Sequence, residues 1–403
     1  MTVSQKHAAP LVRSTQTEAS RAASLPEVIP LLRAAIAAGP RDDRLRLQLA
    51  KALFHTNRFA ELVSWLQPLQ WECEPTLLCY LGQAARLVGD SQLSESALRR
   101  AVAQGQPEAT GYLVETLMYA GDRDEALALA LMWLGKSPQD FRAQRAAASE
   151  LLRRNEKRKL WNLCADLRCR GVWGSYVPSS MAFAASSPIE EQQIADLVNP
   201  LVWVEQTRFD DHPKFNMGLE ADLRALGPGV TPPATKSTIG AATRLDGLER
   251  ADGAFLRELR GRILRAVDTY VARRVEFPGN PLIAQRPATI ALRIWSINVQ
   301  GSGYETWHIH PAAWLSGVYY LRTPSREGAR MRGAITFGPL PLGTVRKMRA
   351  WPAWTLIPAP GVLLLFPSYF GHRTWPTGVS EPRISIAFDV LAVEASTAKD
   401  IAL

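Results

Sequence analysis

Four residues that tolerate a left-handed backbone, Asn57, Gly89, Gly121 and Asn155, recur in the first half of the chain at separations of 32, 32 and 34 residues. No other feature constrains the fold as much. Each marks a polar turn between two apolar-periodic segments. A helix–turn–helix unit repeated at this period cannot bury its apolar face alone and must stack on its neighbours. The third unit, from Tyr112 to Leu127, shows the phrase most clearly. Small residues (Ala50, Ala52, Ala84, Ala85, Ala120, Ala126) fall where neighbouring helices have to approach closely. Asn, or Gly followed by Asp, both stops one helix and offers a cap to the next. The competing reading is a generic helical bundle with accidental periodicity.

Over 26–170 this pattern resembles a tetratricopeptide-repeat array of degenerate units. It departs from the family in having no matching Tyr after Gly82 and a weak fourth unit. The resemblance implies a concave face for a peptide or a partner protein, with a structural role such as dimerisation as the alternative.

A chain of 403 residues exceeds one ordinary core, so at least two domains are expected. The apolar and charged fractions, 47% and 21%, are those of a globular protein rather than a disordered one. No apolar run is long enough to span a bilayer, which argues against a membrane protein. Residues 1–25 lack the apolar stretch of a secretory signal and read as a disordered tail. The net charge of +9 is spread as single Arg residues, without a block of like charge, so a solvated basic surface is favoured over a nucleic-acid site. Cys73, Cys79, Cys164 and Cys169 form no CxxC pair; free thiols and a cytoplasmic location are expected.

Residues 171–199, rich in Gly, Ser and Pro, read as a linker. From 200 to 403 the pattern is mixed. A strand-like stretch covers 201–204, a helix lies around 217–226, and a Gly/Pro/Thr-rich loop spans 227–244. An amphipathic helix follows over 253–274. After Pro287 come strands at 289–299, 307–310, 316–321, 334–337, 355–357, 362–366 and 383–392. Many short strands with Gly/Pro punctuation suggest a jelly roll or barrel. The whole is thus a multidomain α + β chain, an N-terminal α-solenoid of helical hairpins followed by a β domain.

Three of the six histidines fall in the strand-rich part. His308 and His310 are two apart, and alternate residues of a strand share a face, so both imidazoles can meet one metal ion while Ile309 packs the other way. His372 supplies a third donor. Eleven residues on, Arg383 and Ser385 again share a face, and a guanidinium with a hydroxyl suits a carboxylate.

Taken together, Trp307-His-Ile-His-Pro311, Leu315-Ser-Gly-Val-Tyr-Tyr320, the Phe366-Pro-Ser368 turn, His372 and Arg383 to Phe388 resemble the 2-oxoglutarate/Fe(II) oxygenase family of double-stranded β-helix proteins. In plan they are similar to the prolyl hydroxylases. The resemblance implies Fe(II) on His308, His310 and His372, with 2-oxoglutarate as cosubstrate and O2 as oxidant. Arg383 and Ser385 would hold the far carboxylate, Tyr320 and Asn298 would help seat the cosubstrate, and the 253–274 helix would support the β-helix. In the wider superfamily the second ligand is usually a carboxylate; here it would be His310, which raises the charge at the metal. Trp295, Trp307 and Trp314 are candidates for lining a substrate pocket, though Trp residues in this setting also serve as core. The expected activity is hydroxylation of a peptide, protein or carrier-bound substrate presented by the repeats, a small molecule being the other choice. The alternatives are a three-His dioxygenase that dispenses with 2-oxoglutarate, or a repeat-based binding module with an inactive β-helix.

Overall fold

The computed structural model describes residues 25–39, 42–232, 237–274, 281–284, 286–325, 331–342 and 351–393. The expected tail therefore lies outside the described residues, apart from Leu25. Two compact units emerge among the described residues, one drawn from 25–195 together with 340–342 and 351, the other from 196–339 and 352–393.

The first unit is built of α1 (Leu25–Ala38), α2 (Asp43–His55), α3 (Phe59–Leu66), α4 (Pro75–Leu87), α5 (Ser91–Ala103), α6 (Ala109–Ala120), α7 (Arg123–Lys136), α8 (Phe141–Arg153), α9 (Lys157–Cys169) and α10 (Val177–Ala184). The four predicted turn residues all take positive φ: 60° at Asn57, 90° at Gly89, 100° at Gly121 and 59° at Asn155. Capping is more selective than expected. Of the four turns only Gly89-Asp90 caps the next helix through a side chain, Asp90 accepting from Leu93 N–H at 2.9 Å. Asp42 and Asp140 cap α2 and α8 at the other connections. Five of the six small residues do sit where helices meet: Ala50, Ala52, Ala84, Ala85 and Ala126 are fully buried, whereas Ala120 is exposed; a Cβ on Gly82 would sit 2.5 Å from Leu98 Cγ. The cysteines are free thiols, and only Cys169 is exposed.

The stretch read as a linker is instead largely helical. It holds α10 and α11 (Pro188–Val198), and α10 is buried along its length. Its Ser, Pro and Gly residues sit at helix starts and turns, which composition alone does not distinguish from irregular chain. The strand expected at 201–204 is likewise a helical turn, α12 (Pro200–Trp203). Asn199 caps it and Pro200 opens it, the arrangement that a missing N–H at the first position allows.

The second unit continues through β1 (Glu205–Arg208), α13 (His212–Ala225), β2 (Thr238–Ile239), β3 (Ala242–Asp246), α14 (Ala254–Ala272), α15 (Pro281–Ala284), β4 (Ile290–Val299), β5 (Tyr304–Glu305), β6 (Leu315–Arg322), β7 (Ile335–Gly338), β8 (Trp354–Leu356), β9 (Val362–Pro367), β10 (Gly371–Thr374) and β11 (Arg383–Ala392). A six-stranded sheet has the order β1-β9-β6-β11-β4-β3, a second runs β10-β7-β8, and β2 pairs with β5. The pairings are antiparallel and cross over in sequence, as in a double-stranded β-helix. Among the described residues the sheets do not close into a barrel.

β2 and β3 occupy part of the stretch expected to be loop. β3 is an edge strand whose residues are at most half-buried, so it lacks the apolar alternation that announces a strand. The predicted strand at 307–310 is reduced to a single bridge, His308 to His372.

Phe388, Ile386, Val390 and Tyr319 point from one face of the large sheet into a core shared with Leu259, Ile263, Val267 and Tyr270 of α14. This core explains the glycine of Ser-Gly-Val: a Cβ on Gly317 would lie 2.2 Å from Phe388 Cζ and 2.5 Å from Leu364 O. The opposite face of the same strands carries the polar residues that form the site.

Candidate metal centre

Although 307–310 is not a regular strand, it runs extended beside β10. His308 and His372 exchange N–H···O bonds of 3.0 Å, and His310 N–H donates to Ser368 O at 3.0 Å. The alternation anticipated for a strand is therefore kept: Ile309 is buried on one side, while one ring nitrogen from each of His308, His310 and His372 comes within 4.8 Å of the others. Among the described residues these three form the one such cluster.

The remaining nitrogens fix the tautomers. His308 Nδ1 lies 2.7 Å from Thr306 O, His372 Nδ1 lies 3.0 Å from Phe370 O, and His310 Nδ1 lies 2.6 Å from Asp389 Oδ1. A carbonyl or carboxylate can only accept, so each Nδ1 carries a proton and Nε2 is the nitrogen left to meet a metal. Three imidazoles with their Nδ1 atoms fully engaged are a donor set that fits a divalent transition metal such as Fe(II). Burial, reinforced by the neighbouring His310, lowers the pKa of His308 to about 4. Burial and the other two imidazoles also hold His372 well below its ordinary value. These two rings are thus neutral, and able to ligate, at physiological pH.

Trp295 stacks on His310 with ring centroids 5.7 Å apart and planes at 18°, and Phe366 meets His372 edge-on at 5.0 Å. These rings close two sides of the cluster with apolar surface.

Asp389 was not singled out in the sequence, yet it is fully buried beside the triad. It accepts from His310, from Arg293, and from Ser316 Oγ at 2.8 Å. Ser316 in turn receives from Ser368 Oγ at 2.9 Å, which gives the Ser of the Phe-Pro-Ser turn its role. Burial alone would raise this carboxyl's pKa, but the attraction and hydrogen bonds of His310 and Arg293 hold it far below the carboxylate range. A signal was present: Arg383, Ser385, Ala387 and Asp389 alternate on one strand.

Register settles the faces, because directly opposed residues of antiparallel strands share one. Ser385 faces Ile297 and Tyr320, Asp389 faces Arg293 and Ser316, and Arg383 faces Val299. Arg383, Ser385 and Tyr320 therefore line the side that carries the histidines. Asn298 does not; it is opposite Ile384 and belongs to the other face.

Arg383 is buried, at 1% exposure. Its Nη2 donates to Thr374 Oγ1 at 3.0 Å, its Nη1 reaches Gly333 O at 3.5 Å, and its Nε finds no acceptor. No carboxylate among the described residues pairs with it. Burial depresses its pKa, while Tyr320 and Glu305 nearby raise it. Burial also pushes the Tyr320 phenol up to about 12, against the pull of Arg383, so the phenol keeps its proton. Of the tryptophans, Trp295 belongs to the site. Trp307 lies at its margin, with the Arg373 guanidinium 5.4 Å from its ring centroid. Trp314 is turned away, its indole N–H bonded to Leu282 O at 2.9 Å and its ring packed on the core.

Residues 293–389, the strand core that contains every one of these groups, match the sequence pattern of the 2OG-Fe(II) oxygenase family. The matched class uses Fe(II) with 2-oxoglutarate and O2, and the His308/His310/His372 cluster is able to bind the iron. Solved structures similar to the chain include a prolyl-4-hydroxylase from Pseudomonas putida. It is 13% identical and has a TM-score of 0.34; the match covers 48% of this chain and 96% of that one. Another is a prolyl hydroxylase from Trichoplax adhaerens, in complex with a hypoxia inducible factor oxygen degradation domain peptide fragment. It shares 14% identity with a TM-score of 0.35, over 54% of this chain and 98% of that one. The MamA protein is similar at 16% identity and a TM-score of 0.31, over 36% of this chain and 81% of its own. No curated protein sequence matches this one. No helix among the described residues is long and apolar enough to cross a membrane.

Proposed function

We propose that this protein is a 2-oxoglutarate- and Fe(II)-dependent oxygenase that hydroxylates a peptide, protein or carrier-bound substrate presented by its helical repeats. The observation that carries the reading is the pairing, on one sheet face, of a three-imidazole cluster with a buried guanidinium that has no carboxylate partner among the described residues. A charge buried without a counter-ion is costly, and a site that completes itself with an anionic ligand accounts for it. Thr374, which Arg383 grips, is two residues beyond His372 on β10, and so about 7 Å along the strand. A five-carbon diacid spans roughly 5 Å between its carboxyl carbons. One such molecule fits with one end at the histidines and the other at the guanidinium.

In this reading His308, His310 and His372 hold the metal through Nε2. Arg383 donates to the far carboxylate with the Ser385 hydroxyl beside it, and the protonated Tyr320 phenol supplies a further donor. Bound Fe(II) with 2-oxoglutarate supplies the O2-dependent oxidation of a C–H bond, with decarboxylation of the cosubstrate to succinate. Trp295, Phe337 and Phe366 exclude water from the histidines. The stacked hairpins of the first unit offer the kind of extended face on which repeat proteins hold peptides.

The test is anaerobic addition of Fe(II) and then 2-oxoglutarate, monitored by the visible charge-transfer band of the chelate. The band should be absent in His308→Ala and should require far more cosubstrate in Arg383→Ala. Iron binding without a band would overturn the cosubstrate assignment and leave a dioxygenase that acts without 2-oxoglutarate. Failure to bind iron would leave the repeats as the functional part.

A further inference from the structure

We propose that Asp389 is a positioning residue that returns to the metal centre, through His310, the negative charge that a carboxylate ligand would have supplied directly. The proposal rests on the three-His reading of the metal site. Where a carboxylate replaces one imidazole, the donor set itself carries a charge; His308, His310 and His372 carry none. Of the three rings, two hand their Nδ1 proton to neutral backbone carbonyls, and only His310 hands it to a carboxylate, at 2.6 Å.

The anion behind His310 is built in. Asp389 is fully buried, in mid-strand on β11, and accepts from Ser316, itself supported by Ser368. Arg293 shares the carboxylate, but its side chain is 40% exposed. Solvent therefore screens the cation more than the anion. A carboxylate hydrogen-bonded to a ligating imidazole fixes its tautomer and makes its other nitrogen a stronger donor. Trp295 stacked on the same ring locks its plane. His310 and Asp389 thus act as one anionic ligand, with the charge placed one ring behind the metal.

A two-by-two set of variants of the full chain tests this, read as Co(II) affinity by competition with a chromophoric chelator. Asp389→Asn in the native background should weaken Co(II) binding about 10- to 100-fold. His310→Asp moves the carboxylate to the ligand position. In that background Asp389 becomes a like charge, so Asp389→Asn should be neutral or should tighten binding. Equal losses in both backgrounds would reduce Asp389 to a structural residue, and no loss in the native background would remove it from the metal site. If the unaltered protein binds no Co(II), the three-His reading itself falls.

Because His310→Asp buries two carboxylates and can fail to fold, a second readout uses only Asp389→Asn. In the Zn(II)-loaded, 15N-histidine-labelled protein the His310 Nδ1 proton should resonate far downfield and move upfield in the variant. A proton that does not move would overturn the proposal.

Discussion

Replacing Arg383 with methionine sets two effects of opposite sign against each other. In the metal-free, ligand-free protein, Arg383 is a cation at 1% exposure with one unpartnered Nε and no carboxylate among the described residues. Removing an uncompensated buried charge in favour of an apolar side chain of similar length is neutral or stabilises by about 1–4 kcal/mol. Against this, the Thr374 hydroxyl and Gly333 carbonyl lose a donor, at a cost of about 1 kcal/mol each. Thr374 Oγ1 still accepts from Glu305 N–H at 2.8 Å, so its loss is the smaller. Apo stability should therefore change little or rise. Cosubstrate binding should fall by about 2–3 kcal/mol for the lost charge-assisted bonds, or roughly 30- to 150-fold in Kd. Urea denaturation of the apo-protein and anaerobic titration of the Fe(II)-loaded protein with 2-oxoglutarate measure the two arms. In the unaltered protein, saturating 2-oxoglutarate should also raise the denaturation midpoint, and in Arg383→Met that increment should shrink. A variant that loses several kcal/mol of apo stability while binding 2-oxoglutarate normally would show that the guanidinium is structural.

Other perturbations have equally definite outcomes. Gly317→Ala places a methyl 2.2 Å from Phe388 Cζ and 2.5 Å from a backbone oxygen, and should cost about 1–3 kcal/mol in chemical denaturation; Gly317→Ala with Phe388→Leu should recover part of it. His308, whose pKa falls from about 6.5 unfolded to about 4 folded, favours the folded state when neutral. Its contribution is full above pH 6.5 and is lost as pH falls through 6.5 toward 4, reaching about 3 kcal/mol. Metal-free protein should show that loss and His308→Asn should show less of it, in denaturation curves taken between pH 7.5 and 4. Gly121, at φ 100° with open space around its Cα, should cost about 1 kcal/mol as Ala through backbone strain alone. Asn155→Gly, at φ 59°, should be close to neutral by the same measure.

Much of this was legible in the sequence because the constraints are local. A turn that needs positive φ selects Asn or Gly, so the period of the helical hairpins could be read from four positions. Two histidines in an extended stretch share a face whether or not the stretch is a formal strand, so His308 and His310 converge even though only one bridge forms. The amphipathic spacing of α14 follows from the helical period in the same way. Other features depended on what lies across the chain. Asn298 and Arg383 are both on long central strands, and only the pairing of Val299 with Arg383 puts Asn298 on the far face. Trp314 is two residues from Ser316 of the site face, but the carbonyl of Leu282 draws its indole into the core. Asp389 lies in a run of apolar residues and becomes part of the metal centre only because β11 is flanked by Arg293 on β4 and Ser316 on β6. The sequence by itself determined the elements and the ligand set, which depend on spacing along a single strand or helix. The tertiary structure decided the faces, the hydrogen-bond partners and the buried charge, which depend on register between strands distant in the chain.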